Sequence, residues 1–118
     1  MNTETVEFTH VTQVNFNQND HNVEWVGQDK KFHFNFDEKN KQHQTICNWL
    51  HASRLYEADV SNFLRAVVKP GDYTVDVGAN IGMHTLLMST LVENTGKVVA
   101  FEPSLENVDE LKEICFNN

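Results

Sequence analysis

The chain has 118 residues and a formal net charge of −8, from 9 lysines and arginines against 17 acids. That length suits one modest domain, and the acidic balance speaks against a nucleic-acid or anionic-membrane partner, which calls for a basic surface. No run approaches the ~20 apolar residues of a membrane span. Two cysteines, Cys47 and Cys115, are too few for a disulfide framework, and "MNTETVEFTH" lacks the basic-then-apolar pattern of a signal peptide, so the expected compartment is the cytoplasm.

Residues 1–55 read as short strands forming a small antiparallel β-hairpin or meander. "FHFNF" at 32–36 alternates aromatic and polar residues, the period of a strand with one greasy and one wet face. "VEFTHV" at 6–11 and "NVEWV" at 22–26 repeat the pattern more weakly, with turn residues in "NQND" and "GQDKK" between. Trp25, Phe32, Phe34 and Phe36 supply a hairpin core, or alternatively line an acceptor pocket. His43, Cys47 and His51 fall at i, i+4 and i+8, one face if the segment is helical, and both residue types ligate zinc. No fourth ligand accompanies them, so no metal site is assigned. Trp49 is expected in the core.

Residues 56–118 change character. Val60, Phe63, Leu64, Val67 and Val68 mark the apolar face of a helix that Pro70 and Gly71 end. Tyr73 to Val77 is a strand, and Met83, Leu86, Leu87, Thr90 and Leu91 form the inner face of the next helix, stopped near Gly96. "KVVAF" is apolar without alternation, as in a parallel strand covered on both faces. Ser104 caps a last helix with Leu105, Val108, Leu111 and Cys115 inward. The order β-α-β-α predicts an α/β fold, the first part of a Rossmann-like doubly wound parallel sheet. Two parallel strands leave edges uncovered, and the sequence closes at "CFNN", where a third strand is due. The expectation is the truncated front half of a longer domain, or a chain that associates through its strand edges.

The loop "VDVGANIG" at 75–82 carries the chemistry. A P-loop needs a lysine after its second glycine, but Met83 and His84 follow Gly82. A dinucleotide fingerprint needs Gly-x-Gly-x-x-Gly, but Asn80 and Met83 stand at the second and third glycine positions. A helix N-terminus still attracts an anion, and Gly78 and Gly82 allow a ligand close approach. Asp76 lies at the loop mouth, and Glu102 ends the next strand, beside it in a crossover unit, where a carboxylate accepts from a ribose diol. An anionic group, a cation near Asp76 and a ribose together describe S-adenosylmethionine. Taken alone, the glycine loop is also compatible with a structural turn, and Glu102 with a solvated acid at a strand end. His84 reads as a first-turn helix residue rather than a base.

"VDVGANIG" with "FEP" after the second strand resembles the FkbM family of class I S-adenosylmethionine-dependent methyltransferases. The likeness runs through "YEADVSNFLRAVVKPGDYTVDVGANIGMHTLLMS" and "GKVVAFEPSLENVDELKEICFNN", residues 56 to 118. It implies that Gly78, Ala79, Asn80, Ile81 and Gly82 wrap the methionine part of the cofactor, and that Asp76 supports the loop and the amino group. It further implies that Glu102 binds the ribose, that Phe101 and Pro103 lie near the adenine, and that Tyr56 and Glu57 close over the cofactor. The family's acceptors, hydroxyls of sugars, glycolipids or other small molecules, are part of the same expectation. The base and most of the acceptor pocket are expected on later strands, so no catalytic residue is assigned and the chain alone is expected to be inactive. Two other readings stay open: a nicotinamide-dependent oxidoreductase, and a non-enzymatic remnant that pairs with another chain.

Overall fold

A computed structural model describes residues 13–17, 22–27, 30–35, 37, 39–53 and 55–117. The chain is mixed α/β, and its described residues fall into two compact units that divide between Ala58 and Asp59. None of the helices is long and apolar enough to cross a membrane, among the described residues.

The N-terminal unit holds three strands, β1 (Gln13–Asn17), β2 (Asn22–Gly27) and β3 (Lys30–Asn35), paired antiparallel in the order β1-β2-β3. The register sets Val14, Trp25 and Phe32 opposite one another, and likewise Phe16, Val23 and Phe34, so the alternation of all three strands is in phase. The strand expected over 6–11, and Phe36, lie outside the described residues.

Helix α1 (Lys41–Ser53) follows. Its start is built by two short polar side chains. Asp37 Oδ1 accepts from Lys39 N–H at 2.9 Å, and Asn40 Oδ1 accepts from Gln42 N–H at 2.9 Å and His43 N–H at 3.3 Å. The two Asn40 bonds satisfy amides that the first helical turn leaves without acceptors, and the Asp37 bond fixes the turn before it. His43, Ile46, Cys47 and Leu50 are buried at i, i+3, i+4 and i+7. Trp49 lies off that strip and is 40% exposed, so it is not a core residue as expected.

The second unit begins with α2 (Ala58–Val67), joined through a Pro-Gly-Asp turn to β4 (Tyr73–Val77). The turn is bonded at four points: Lys69 N–H to Asp72 Oδ2 at 2.9 Å, Asp72 N–H to the Lys69 carbonyl at 3.1 Å, Gly71 N–H to the Val92 carbonyl at 2.8 Å, and Lys97 N–H to the Asp72 carbonyl at 3.0 Å. The face of α2 is rotated from the expected one. Ser61 is buried and Leu64 and Val68 are half-buried, whereas Val60, Phe63 and Val67 are exposed.

Helix α3 (Met83–Val92) is buried nearly all round, at Met83, Thr85, Leu86, Leu87, Met88 and Val92. It packs on β4 and on β5 (Lys97–Phe101) after a single 3₁₀ turn, Glu93–Thr95. Strands β4 and β5 are parallel, with Val75 opposite Val99 and Asp76 opposite Ala100. Helix α4 (Leu105–Asn117) turns Leu111 and Ile114 inward, while Leu105 and Cys115 face out, contrary to expectation.

The two-stranded sheet is covered on one face only, which corrects the expectation from "KVVAF". Thr74, Asp76, Val98 and Ala100 are half-buried on the face toward α3. On the other face Tyr73 is 79%, Val77 80% and Phe101 56% exposed, with Val75 and Val99 beside them. The run is apolar because both faces want cover; the described residues supply it for one.

Candidate functional site

The tips of β4 and β5 and the segment 78–82 form one small constellation. The parallel register places Val77 opposite Phe101, so Gly78 and Glu102 leave adjacent strand ends. The segment turns back as a curl with three left-handed residues, Gly78 at φ 77°, Asn80 at φ 58° and Gly82 at φ 100°. The glycines serve different ends. A Cβ on Gly82 would lie 2.5 Å from Leu111 Cδ1, so glycine there lets α4 press on the curl. A Cβ on Gly78 would meet nothing within 4 Å, so open space lies in front of that backbone. Ala79 and Ile81 are buried, Ile81 at 1% exposure, and their side chains anchor the curl.

The curl's amides are mostly consumed within the chain. Gly78 N–H and Ala79 N–H both donate to the Phe101 carbonyl, at 2.9 and 3.0 Å, and Gly82 N–H donates to the Ala79 carbonyl at 2.9 Å. Asn80 N–H donates to Glu102 Oε2 at 2.6 Å. Of the five amides in 78–82, only Ile81 N–H has no acceptor among the described residues. Three of these donors point at the end of β5 and the fourth stays within the curl.

Glu102 occupies the centre. Its Oε1 accepts from Ser104 N–H at 3.0 Å while Oε2 takes Asn80 N–H. The Ser104 N–H foremost, with the Asn80 N–H and the Asn107 side chain, holds this carboxyl below its usual range, against a desolvation that works the other way. A carboxylate has about four lone-pair sites, so with these three donors Glu102 keeps roughly one for a further donor. Ser104 also opens α4, its carbonyl accepting from Val108 N–H at 2.9 Å.

Asp76 is half-buried on the covered side of β4, and its Oδ2 accepts from the Thr85 hydroxyl at 2.6 Å. Its Oδ1 accepts no hydrogen bond from the described residues. The structure thus brings together Asp76, Gly78, Ala79, Asn80, Ile81, Gly82 and Glu102. It adds Thr85, Ser104 and Asn107, which the sequence did not mark as part of a site, and it gives Phe101, expected near the adenine, a role through its carbonyl. An asparagine or threonine near a glycine loop signals nothing until its partner is known. His84 lies in the first turn of α3, as its position predicts. Tyr56 and Glu57 belong to the N-terminal unit.

No group of three or more His, Cys, Asp or Glu is placed to hold a metal ion among the described residues, and the side chain of His51 lies outside them. His43 Nδ1 instead accepts Asp37 N–H at 2.9 Å, and burial pushes the Cys47 thiol up to about 11. No protein-family model matches the chain, and no curated protein matches it in sequence.

Proposed function

We propose that residues 73–118 are the cofactor-binding part of an S-adenosylmethionine-dependent methyltransferase with a Rossmann-like sheet, acting on a hydroxyl of a sugar or another small molecule. One observation carries the reading: the strand tips carry two carboxylates with acceptor capacity, Asp76 and Glu102, beside a curl in which four of the five amides already donate within the chain. A pyrophosphate needs free amides and repels carboxylates. A ligand with an ammonium group at one end and a ribose diol at the other needs the reverse. Asp76 Oδ1 suits the ammonium, Glu102 the diol, and the open space at Gly78 the chain between them. The cofactor would supply the methyl group; these residues would bind and orient it. Resemblance of "VDVGANIG" and "FEP" to the FkbM family supports the same choice.

Calorimetric titration with S-adenosylhomocysteine and, separately, with NAD tests the reading. Saturable binding of the first and none of the second is expected. Preference for NAD would transfer the site to the oxidoreductase reading.

A second reading is compatible with the first: association with another chain through the open strand edges and the bare face of β4 and β5. The exposure of Tyr73, Val77 and Phe101 favours it. Sedimentation across a concentration series tests it, and an invariant monomer argues against self-association.

A further inference from the structure

We propose that Thr85 is a positioning residue, holding the Asp76 carboxylate so that its second oxygen meets the ammonium group of the ligand's amino-acid end. The inference rests on the methyltransferase reading and deepens it. Hydroxyls inside helices ordinarily donate to the carbonyl one turn back, as Thr45 does to Lys41 at 3.0 Å, Ser89 to Leu86 at 2.7 Å and Thr90 to Leu86 at 3.0 Å. Thr85 departs from that habit. Its hydroxyl leaves α3 and reaches Asp76, nine residues earlier on β4, at 2.6 Å. Thr85 is only 6% exposed, so the donor is surrounded by core and its direction is fixed.

The consequence is geometric. A lone aspartate at a strand end samples several side-chain rotamers. A short bond from a neutral donor to an ionised oxygen is among the stronger hydrogen bonds, and it commits Oδ2 to the helix. Oδ1 is left as the ligand-facing acceptor, still carrying its share of the negative charge. Thr85 would not touch the ligand; it acts through Asp76.

Two ligands separate this role from a merely structural one. S-adenosylhomocysteine carries the ammonium group, and 5′-methylthioadenosine keeps the nucleoside but lacks the whole amino-acid end. In the 118-residue chain, Thr85→Val should weaken S-adenosylhomocysteine about tenfold, the effect of one hydrogen bond to a charged group. Affinity for 5′-methylthioadenosine should stay within about twofold of the parent value. Thr85→Ser, which keeps the hydroxyl, should restore most of the loss. In an Asp76→Ala background, Thr85→Val should cause no further loss. Equal weakening of both ligands, or failure of the serine variant to rescue, would make Thr85 a packing residue and overturn the inference alone. If the parent chain binds neither ligand, the methyltransferase reading falls and the inference falls with it.

Discussion

Gly78 and Gly82 bracket the same curl, yet alanine should behave differently at the two. Both sit at positive φ, 77° and 100°, and an L-residue in the left-handed region carries about 1–2 kcal/mol of strain. At residue 78 that strain is the whole penalty, because the new methyl group meets nothing within 4 Å. At residue 82 the methyl group would stand 2.5 Å from Leu111 Cδ1, and Leu111 is buried, with little room to withdraw. Overpacking of this kind adds about 1–3 kcal/mol. Gly82→Ala should therefore be less stable than Gly78→Ala by about 1–3 kcal/mol, within the ~5–15 kcal/mol typical of a folded domain. Urea titrations of the two variants read this as a lower midpoint for Gly82→Ala at unchanged slope. Leu111→Ala provides the control: by removing the struck atom it should erase the extra penalty, a coupling of about 1 kcal/mol or more in a double-mutant cycle. Equal midpoints for the two alanine variants, or additivity with Leu111→Ala, would refute the assignment of Gly82 to the α4 contact. Ligand binding should rank the variants the other way, with Gly78→Ala, the milder lesion, filling the space where S-adenosylhomocysteine is expected.

Further outcomes follow from the same geometry. Glu102 has a folded-state pKa below its unfolded value, so its bonds stabilise the fold above the ordinary carboxylate range and are lost as pH falls through the depressed value. Glu102→Gln should accordingly melt below the parent protein at pH 7, with the gap closing on acidification below about pH 4.5; a constant gap would deny the linkage. Cys115 is exposed and Cys47 buried, its thiol pushed up to about 11, so a disulfide reagent should label one thiol in the native chain and the second only in denaturant. Val75 and Val77 lie on the uncovered sheet face, so replacing both with lysine should reduce binding of a hydrophobic dye at pH 7 without lowering helix content by circular dichroism.

The parts of the fold that the sequence made legible are those set by local pattern. Residues 73–77 and 97–101 are strands because short apolar runs bounded by Gly71, Gly78, Gly96 and Pro103 have few alternatives. Helix α1 was not legible. Its start depends on the Asn40 side chain capping two amides, and a segment as polar as "KNKQHQ" looks the same whether it caps a helix or crosses a loop. The face of α2 was misplaced because Ser61, a polar residue, is buried while Phe63 is not. In the candidate site, residue identities marked Asp76, the glycines and Glu102, but not the hydrogen-bond partners. That Asn80 N–H belongs to Glu102, or that Thr85 reaches Asp76, depends on which groups face one another after β4 and β5 have paired.

The bonds from Gly78 and Ala79 to the Phe101 carbonyl have a bearing on how the molecule is made. Three of the loop's four bonded amides find their acceptors more than twenty residues later in the chain, at Phe101 and Glu102, and Leu111 follows later still. During synthesis those bonds form only after β5 has emerged and aligned with β4. A chain released before Leu111 would thus hold residues 78–82 without the contact that α4 makes on them.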